Sequence, residues 1–312
     1  MSEKTANQRP TQAQNKETPD EQTASETPDE QSSGHAEPTA WAVPSSGAIL
    51  SSFVRREVST VMVTPGYVVL CVALVVVTSA VALVGGGFEA GYLSTVVDLL
   101  TPMQLLVPIV AVALGYTAIL GDIQRGELDV FRTYPVRAWH VVTGVFLGRA
   151  LAVAVAIGLP LLLLLVPIAL TDTPRLPMYA THTGMDSPVL YLRLVVLTLL
   201  FALVMVAVAV ALSALVSTAR GSIAAAGVTL FVLLVGLDLA VAFGFSLGLV
   251  GESGLTTAVA ISPLGAYRGL VLETAIVVTE GTGPQAAAPL ASVLGLLVWG
   301  VGSLLVATLS VR

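Results

Sequence analysis

VLYLRLVVLTLLFALVMVAVAVALSALV, residues 189–216, contains one charged side chain, Arg193, in an otherwise nearly unbroken apolar run. A helix needs about 20 mostly apolar residues to cross the hydrocarbon core of a bilayer, and this run is longer. In hydrocarbon every backbone N–H and C=O needs a partner within the protein, which leaves helices or a closed barrel. Barrel strands alternate polar and apolar residues, and this run does not alternate. Working outward, five further stretches share its character: 66–84, ending at Gly85-Gly86-Gly87; 99–120; 141–170; 222–250; and 286–309. Pro160 and Pro167 are expected to kink the third span. The fifth is long enough to tilt or to extend beyond the bilayer. The sequence therefore predicts an all-α integral membrane fold with six transmembrane helices, a membrane domain over 47–312.

Composition agrees. Of 312 residues, 55% are hydrophobic and 11% charged, against about 25% charged in soluble domains. The net charge of −6 comes mainly from the first 40 residues, where Glu3, Glu17, Asp20, Glu21, Glu26, Asp29, Glu30 and Glu37 oppose Lys4, Arg9 and Lys16. The near-repeats ETPDEQ at 17–22 and 26–31 lie there. With so little apolar surface to offset ordering entropy, residues 1–46 are expected to form a disordered acidic tail. No apolar stretch of a signal peptide follows Met1. The single cysteine, Cys71, excludes an intrachain disulfide. No basic face suggests nucleic acid.

Before the first span, Ile49, Leu50, Phe53, Val54, Val58, Val61 and Met62 recur at helical spacing, with Arg55, Arg56 and Glu57 between them. This pattern predicts an amphipathic helix lying on the membrane lipid interface, separated from the span by Pro65-Gly66; an extension of the first span is the other reading. Basic residues near the spans set orientation. With the N-terminus cytoplasmic, Arg55, Arg56, Arg125, Arg132, Arg137, Arg149, Arg220 and Arg312 lie inside, and Arg175, Arg193 and Arg268 outside. Both termini are then cytoplasmic in a multi-pass protein of the cell membrane.

Several chemistries are missing. There is no Gly-x-x-x-x-Gly-Lys-Ser/Thr loop, and both lysines lie in the tail, so the chain has no P-loop of its own for ATP. There is no His-Glu-x-x-His pair and no Gly-x-Ser-x-Gly elbow. His35, His140 and His182 fall in different segments, His140 as an interfacial loop residue and His182 as a solvated one. Neither a catalytic residue, a cofactor nor a metal site is expected.

The most informative polar stretch follows the second span: GDIQRGELDVFRTYPVR, residues 121–137. Leu128, Val130 and Phe131 alternate with Glu127, Asp129 and Arg132, and Pro135 ends the run. A short amphipathic helix at the cytoplasmic surface fits, as does a solvated loop. Asp122, Gly126, Leu128 and Thr133-Tyr134-Pro135 resemble the cytoplasmic loop of ABC-2-type transporter permeases. Val107-Pro108-Ile109 through Gly115-Tyr116, Gly144-Val145-Phe146-Leu147-Gly148 and Phe53–Val58 fit the same family. Leu237-Asp238-Leu239 and Ser262-Pro263-Leu264-Gly265-Ala266-Tyr267-Arg268 resemble its NosY branch, which serves maturation of nitrous oxide reductase. The resemblance covers roughly 48–312. Glu127 stands where the family usually has a small hydroxyl residue.

The resemblance implies that two permease copies pair as a homodimer over two separate ABC ATPase subunits. Asp122, Gly126, Glu127, Leu128, Thr133, Tyr134 and Pro135 would form the ATPase-coupling loop. The NosY branch implies an extracytoplasmic copper-maturation partner, met by the outer segment 251–285 with its motif Pro263, Tyr267 and Arg268. An ABC-2 exporter of a small hydrophobic molecule or lipid is the alternative. An ion-coupled secondary transporter is a third reading, although paired interrupted repeats are not visible. Asp238 is the one acid in the middle of a span. An acid there costs about 2.5–3.5 kcal/mol on insertion scales, so it is expected to face the bundle interior, to be protonated or to pair. Gating, a dimer contact and a structural hydrogen bond all fit it.

Overall fold

A computed structural model describes residues 45–124, 137–171, 186–249, 251–277 and 288–311. Of the tail expected over 1–46, residues 1–44 lie outside them, while Ser45 and Ser46 open the first helix. Among the described residues every regular element is helical, and six helices are long and apolar enough to cross a membrane. The chain is thus an all-α multi-pass membrane protein.

The first helix, α1, is Ser46–Met62, capped by Ser45, whose hydroxyl accepts from the Ala48 amide. Thr64 is extended and Pro65 opens α2, Pro65–Val84, because proline is tolerated where the first helical N–H has no acceptor. A glycine turn with positive φ at Gly86, Gly87 and Gly91 leads to α3, Gly91–Gly115. This helix starts well before the apolar run at Leu99. Asp186 makes the earlier start possible: its carboxylate accepts from the amides of Tyr92 and Leu93 (3.1 and 2.8 Å), two donors that a helix N-terminus leaves without partners. Residues 116–119 form turns before the short α4, Leu120–Gln124. Helix α5, Ala138–Leu170, runs unbroken through Pro160 and Pro167. At 1.5 Å per residue it spans about 50 Å, more than the roughly 30 Å hydrocarbon core.

Helix α6, Pro188–Leu215, is the axis of the bundle. It is buried over 72% of its apolar stretch, whereas α7, Ala219–Ser246, is buried over only 6%. Helix α7 carries a π-turn at Val232–Gly236. Two short helices follow, α8 (Glu252–Val259) and α9 (Pro263–Val271), then a π-helical run Leu272–Val277 and the last span α10, Pro289–Ser310. Helices α3, α5, α9 and α10 all pack on α6.

Helix association in lipid relies on close packing and interhelical hydrogen bonds rather than on release of water. Hydroxyl-to-carbonyl bonds supply several links. Tyr67 donates to Ala152 O on α5 (2.8 Å) and Tyr191 to Leu161 O (2.7 Å). Gly115 lets α3 meet α6 at Ala209, where an added Cβ would come within 2.6 Å of the alanine methyl.

Candidate functional site

The end of the bundle that carries the turn 116–119 and α4 is called basal here. Of the residues expected to couple, Asp122 lies in α4, while Gly126, Glu127, Leu128, Thr133, Tyr134 and Pro135 lie outside the described residues. The structure shows how the flanks of that segment are held.

On its first flank, the Ser213 hydroxyl near the end of α6 accepts from the amides of Ile119 and Leu120 (2.9 and 3.0 Å). Ser213 is fully buried. Ser222 in the first turns of α7 donates to Tyr116 O (2.7 Å). The turn 116–120 leaves amides and carbonyls unpaired by helix geometry, and two serines from neighbouring helices take them up.

On the second flank stands α5, against which α1 is pressed. Phe53 meets Gly144 and, one turn on, Glu57 meets Gly148, so the two helices run in the same direction. A Cβ at Gly144 would lie 2.5 Å from Phe53 Cβ, and one at Gly148 would collide with Glu57 Cβ. Spacing of small residues by four puts both on one face of α5. Arg55 is exposed, whereas Glu57 is only 4% exposed. Arg55, Arg56 and Glu57 therefore do not share one outward charged face.

Glu57 is paired inside. Arg149 Nε donates to its Oε2 (2.9 Å), and Arg56 Nη2 donates to Oε1 (3.3 Å). Arg149 Nη1 also donates to Leu114 O in the last turn of α3 (2.6 Å). One guanidinium thus joins α1, α3 and α5. His140, expected in an interfacial loop, instead lies in the first turn of α5. It is buried and stacked on Trp139 at 3.7 Å, and neither ring nitrogen has a hydrogen-bond partner. His182 lies outside the described residues.

At the opposite end, α9 is drawn into the bundle rather than laid on its surface. Ser262 caps it by accepting from the Gly265 amide (3.2 Å). Pro263 and Tyr267 are buried and Arg268 is exposed. The Tyr267 ring stacks on Phe201 of α6 (4.7 Å, 8° between planes). Thr198 Oγ1 gives its proton to Leu194 O (2.7 Å), so Tyr267 donates to Thr198 (2.8 Å). Trp299 of α10 donates to Ile261 O (2.9 Å), and Gly295 lets α10 press on Ala260 O.

Asp238 sits just past the π-turn of α7, on an exposed face. It does not turn toward the bundle interior of the single chain.

Six apolar helices, with hydrogen-bonded turns at one end and α9 drawn in at the other, define a polytopic membrane protein. The chain belongs to the ABC-2 transporter family, matching the model of the ABC-2 family transporter protein over residues 2–311. The match also takes in the N-terminal tail, which the resemblance read from the sequence left out. A comparison with curated proteins finds no match. Family membership makes the chain a membrane permease subunit of an ABC transporter and implies an ABC ATPase partner.

Proposed function

We propose that this chain converts the closure of separate ATPase subunits into movement of its helices, through the segment 122–137 at a cytoplasmic basal end. The single observation behind this is how the elements on either side of that segment are held: Ser213 and Ser222 bond the turn 116–120 before it, and Arg149 on α5 after it bonds Glu57 and Leu114 O. A segment whose flanks are tied into the bundle moves the bundle when it is pushed, and packed helices respond by switching between discrete packings. The arginines assigned by sequence to the inner segments, eight against three in the outer ones, support cytoplasmic termini.

The working unit is a homodimer. Val228, Phe231, Val235, Asp238, Ala242 and Phe245 alternate at spacings of three and four along α7, and all are exposed in the single chain. They leave α7 a largely apolar exposed surface, on both sides of the π-turn, for a second copy to cover. A carboxyl on it at membrane depth needs a polar partner, which a second copy supplies.

The Leu237–Leu239 and Ser262–Arg268 motifs support a NosY-like role, in which α8 and the exposed Arg268 of α9 meet an extracytoplasmic copper-maturation protein. Export of a small hydrophobic molecule or lipid uses the same machinery without that partner. The test is purification of the tagged chain from its native membrane. A co-purifying P-loop ATPase whose activity drops when Gly126 and Glu127 are both replaced supports the proposal. External labelling of a thiol placed at Gln124 in intact cells defeats it.

A further inference from the structure

We propose that Arg149 and Glu57 are positioning residues that form the joint carrying displacement of segment 122–137 into α1 and from there into α2. The inference rests on the permease function above and adds the route the motion takes.

The route follows from what Arg149 touches. Its guanidinium holds Glu57 of α1 through Nε and Leu114 O of α3 through Nη1. Helices α3 and α5 are the two that flank the segment. Tied together by one side chain, they cannot splay when the segment is pushed, and α1 must move with them. Gly144 and Gly148 let α1 come close enough to α5 for Arg149 to reach Glu57. The guanidinium, not the glycine contact, carries the displacement across. At Thr64-Pro65 the helix breaks, so motion of α1 reaches α2 as a change of angle at that break.

Stability alone is a poor reason for this pair. The Arg149 side chain is 14% exposed and that of Glu57 5%, and apolar residues of similar volume often hold a core as well as or better than a buried ion pair. What an apolar pair cannot do is fix Leu114 O and Glu57 at once in set geometry. Lysine cannot do it either, because its compact ammonium lacks the planar fork.

The test uses the complex of the chain with its co-purifying ATPase in nanodiscs, with Cys71→Ala. Spin labels go on Leu290, at the exposed start of α10, and on either Gln124 or Ser59, both exposed. Distances are compared without nucleotide and with ATP plus vanadate. In the unaltered complex both Gln124 and Ser59 are expected to shift relative to Leu290. With Glu57→Met plus Arg149→Met, Gln124 still shifts and the Ser59 shift is lost. Arg149→Lys, which keeps the charge, is expected to lose the Ser59 shift too, and it decides the matter if the double variant fails to fold. A Ser59 shift of unaltered size in these variants, with Gln124 moving, overturns the joint alone. A Gln124 that stays still in the unaltered complex overturns the permease mechanism and the joint with it.

Discussion

Gly148 stands directly against Glu57: a Cβ at the glycine would overlap that of the glutamate. The contact fixes how near α1 comes to α5 and so whether Arg149 reaches its acceptors. Gly148→Ala is expected to force the helices apart and to cost about 1–3 kcal/mol, the usual range for overpacking. Gly158→Ala, whose Cβ would meet only a Leu199 methyl at 3.4 Å, is the matched control on the same helix and is expected to be nearly neutral. Thermal unfolding of the two variants in the same detergent compares them. Equal midpoints would show that α1 yields freely.

Ser213 has one hydroxyl and holds two amides. Ser213→Ala leaves buried donors without an acceptor, a loss of about 1–3 kcal/mol. The expected result is local: faster amide exchange at Ile119 and Leu120 with little change along α6. Ser222→Ala frees the Tyr116 carbonyl and is expected to add to it. Unchanged exchange in the double variant would mean the turn holds itself.

Tyr267 separates two kinds of support. Tyr267→Phe keeps the stack on Phe201 and loses one hydrogen bond to Thr198, which still bonds Leu194 O. Such bonds within membranes average about 0.6 kcal/mol. Tyr267→Ala removes a fully buried ring and is expected to cost about 3–5 kcal/mol. Limited proteolysis around 251–262 should increase for alanine and not for phenylalanine.

The spans were legible because hydropathy over a long window is a one-dimensional property, and the bilayer makes it decisive. The basal joint was not, because Glu57 and Arg149 are 92 residues apart and no periodicity links them. Beside Arg55 and Arg56, Glu57 looks like one charge on a wet face. Its inward turn depends on Gly148, whose spacing from Gly144 was visible but whose partner helix was not. Tyr267 looked like part of an outer surface motif. A signal for its burial was present in the Ser262-Pro263 helix start followed by Gly265, Ala266 and Gly269, small residues that let a helix pack closely. His140 was misplaced for a simpler reason: α5 starts at Ala138, directly after the polar run and before the apolar stretch at Val141.

Asp238 gives the last prediction, since removing its carboxyl should have opposite effects on two measurable quantities. In the single chain it faces outward at membrane depth, where an acid costs about 2.5–3.5 kcal/mol of insertion. Asp238→Leu should therefore insert better. If Asp238 meets its counterpart across a two-fold axis, the same change removes a polar contact between copies. Contacts of this kind are worth about 1–2 kcal/mol in peptide systems, so pairing should weaken roughly tenfold. Asp238→Asn keeps hydrogen-bonding capacity and should pair almost normally. The measurement is disulfide formation between copies carrying Ala242→Cys with Cys71→Ala, in native membranes. Cross-linking that survives Asp238→Leu at full yield would remove Asp238 from the dimer seam and leave it facing lipid or another protein.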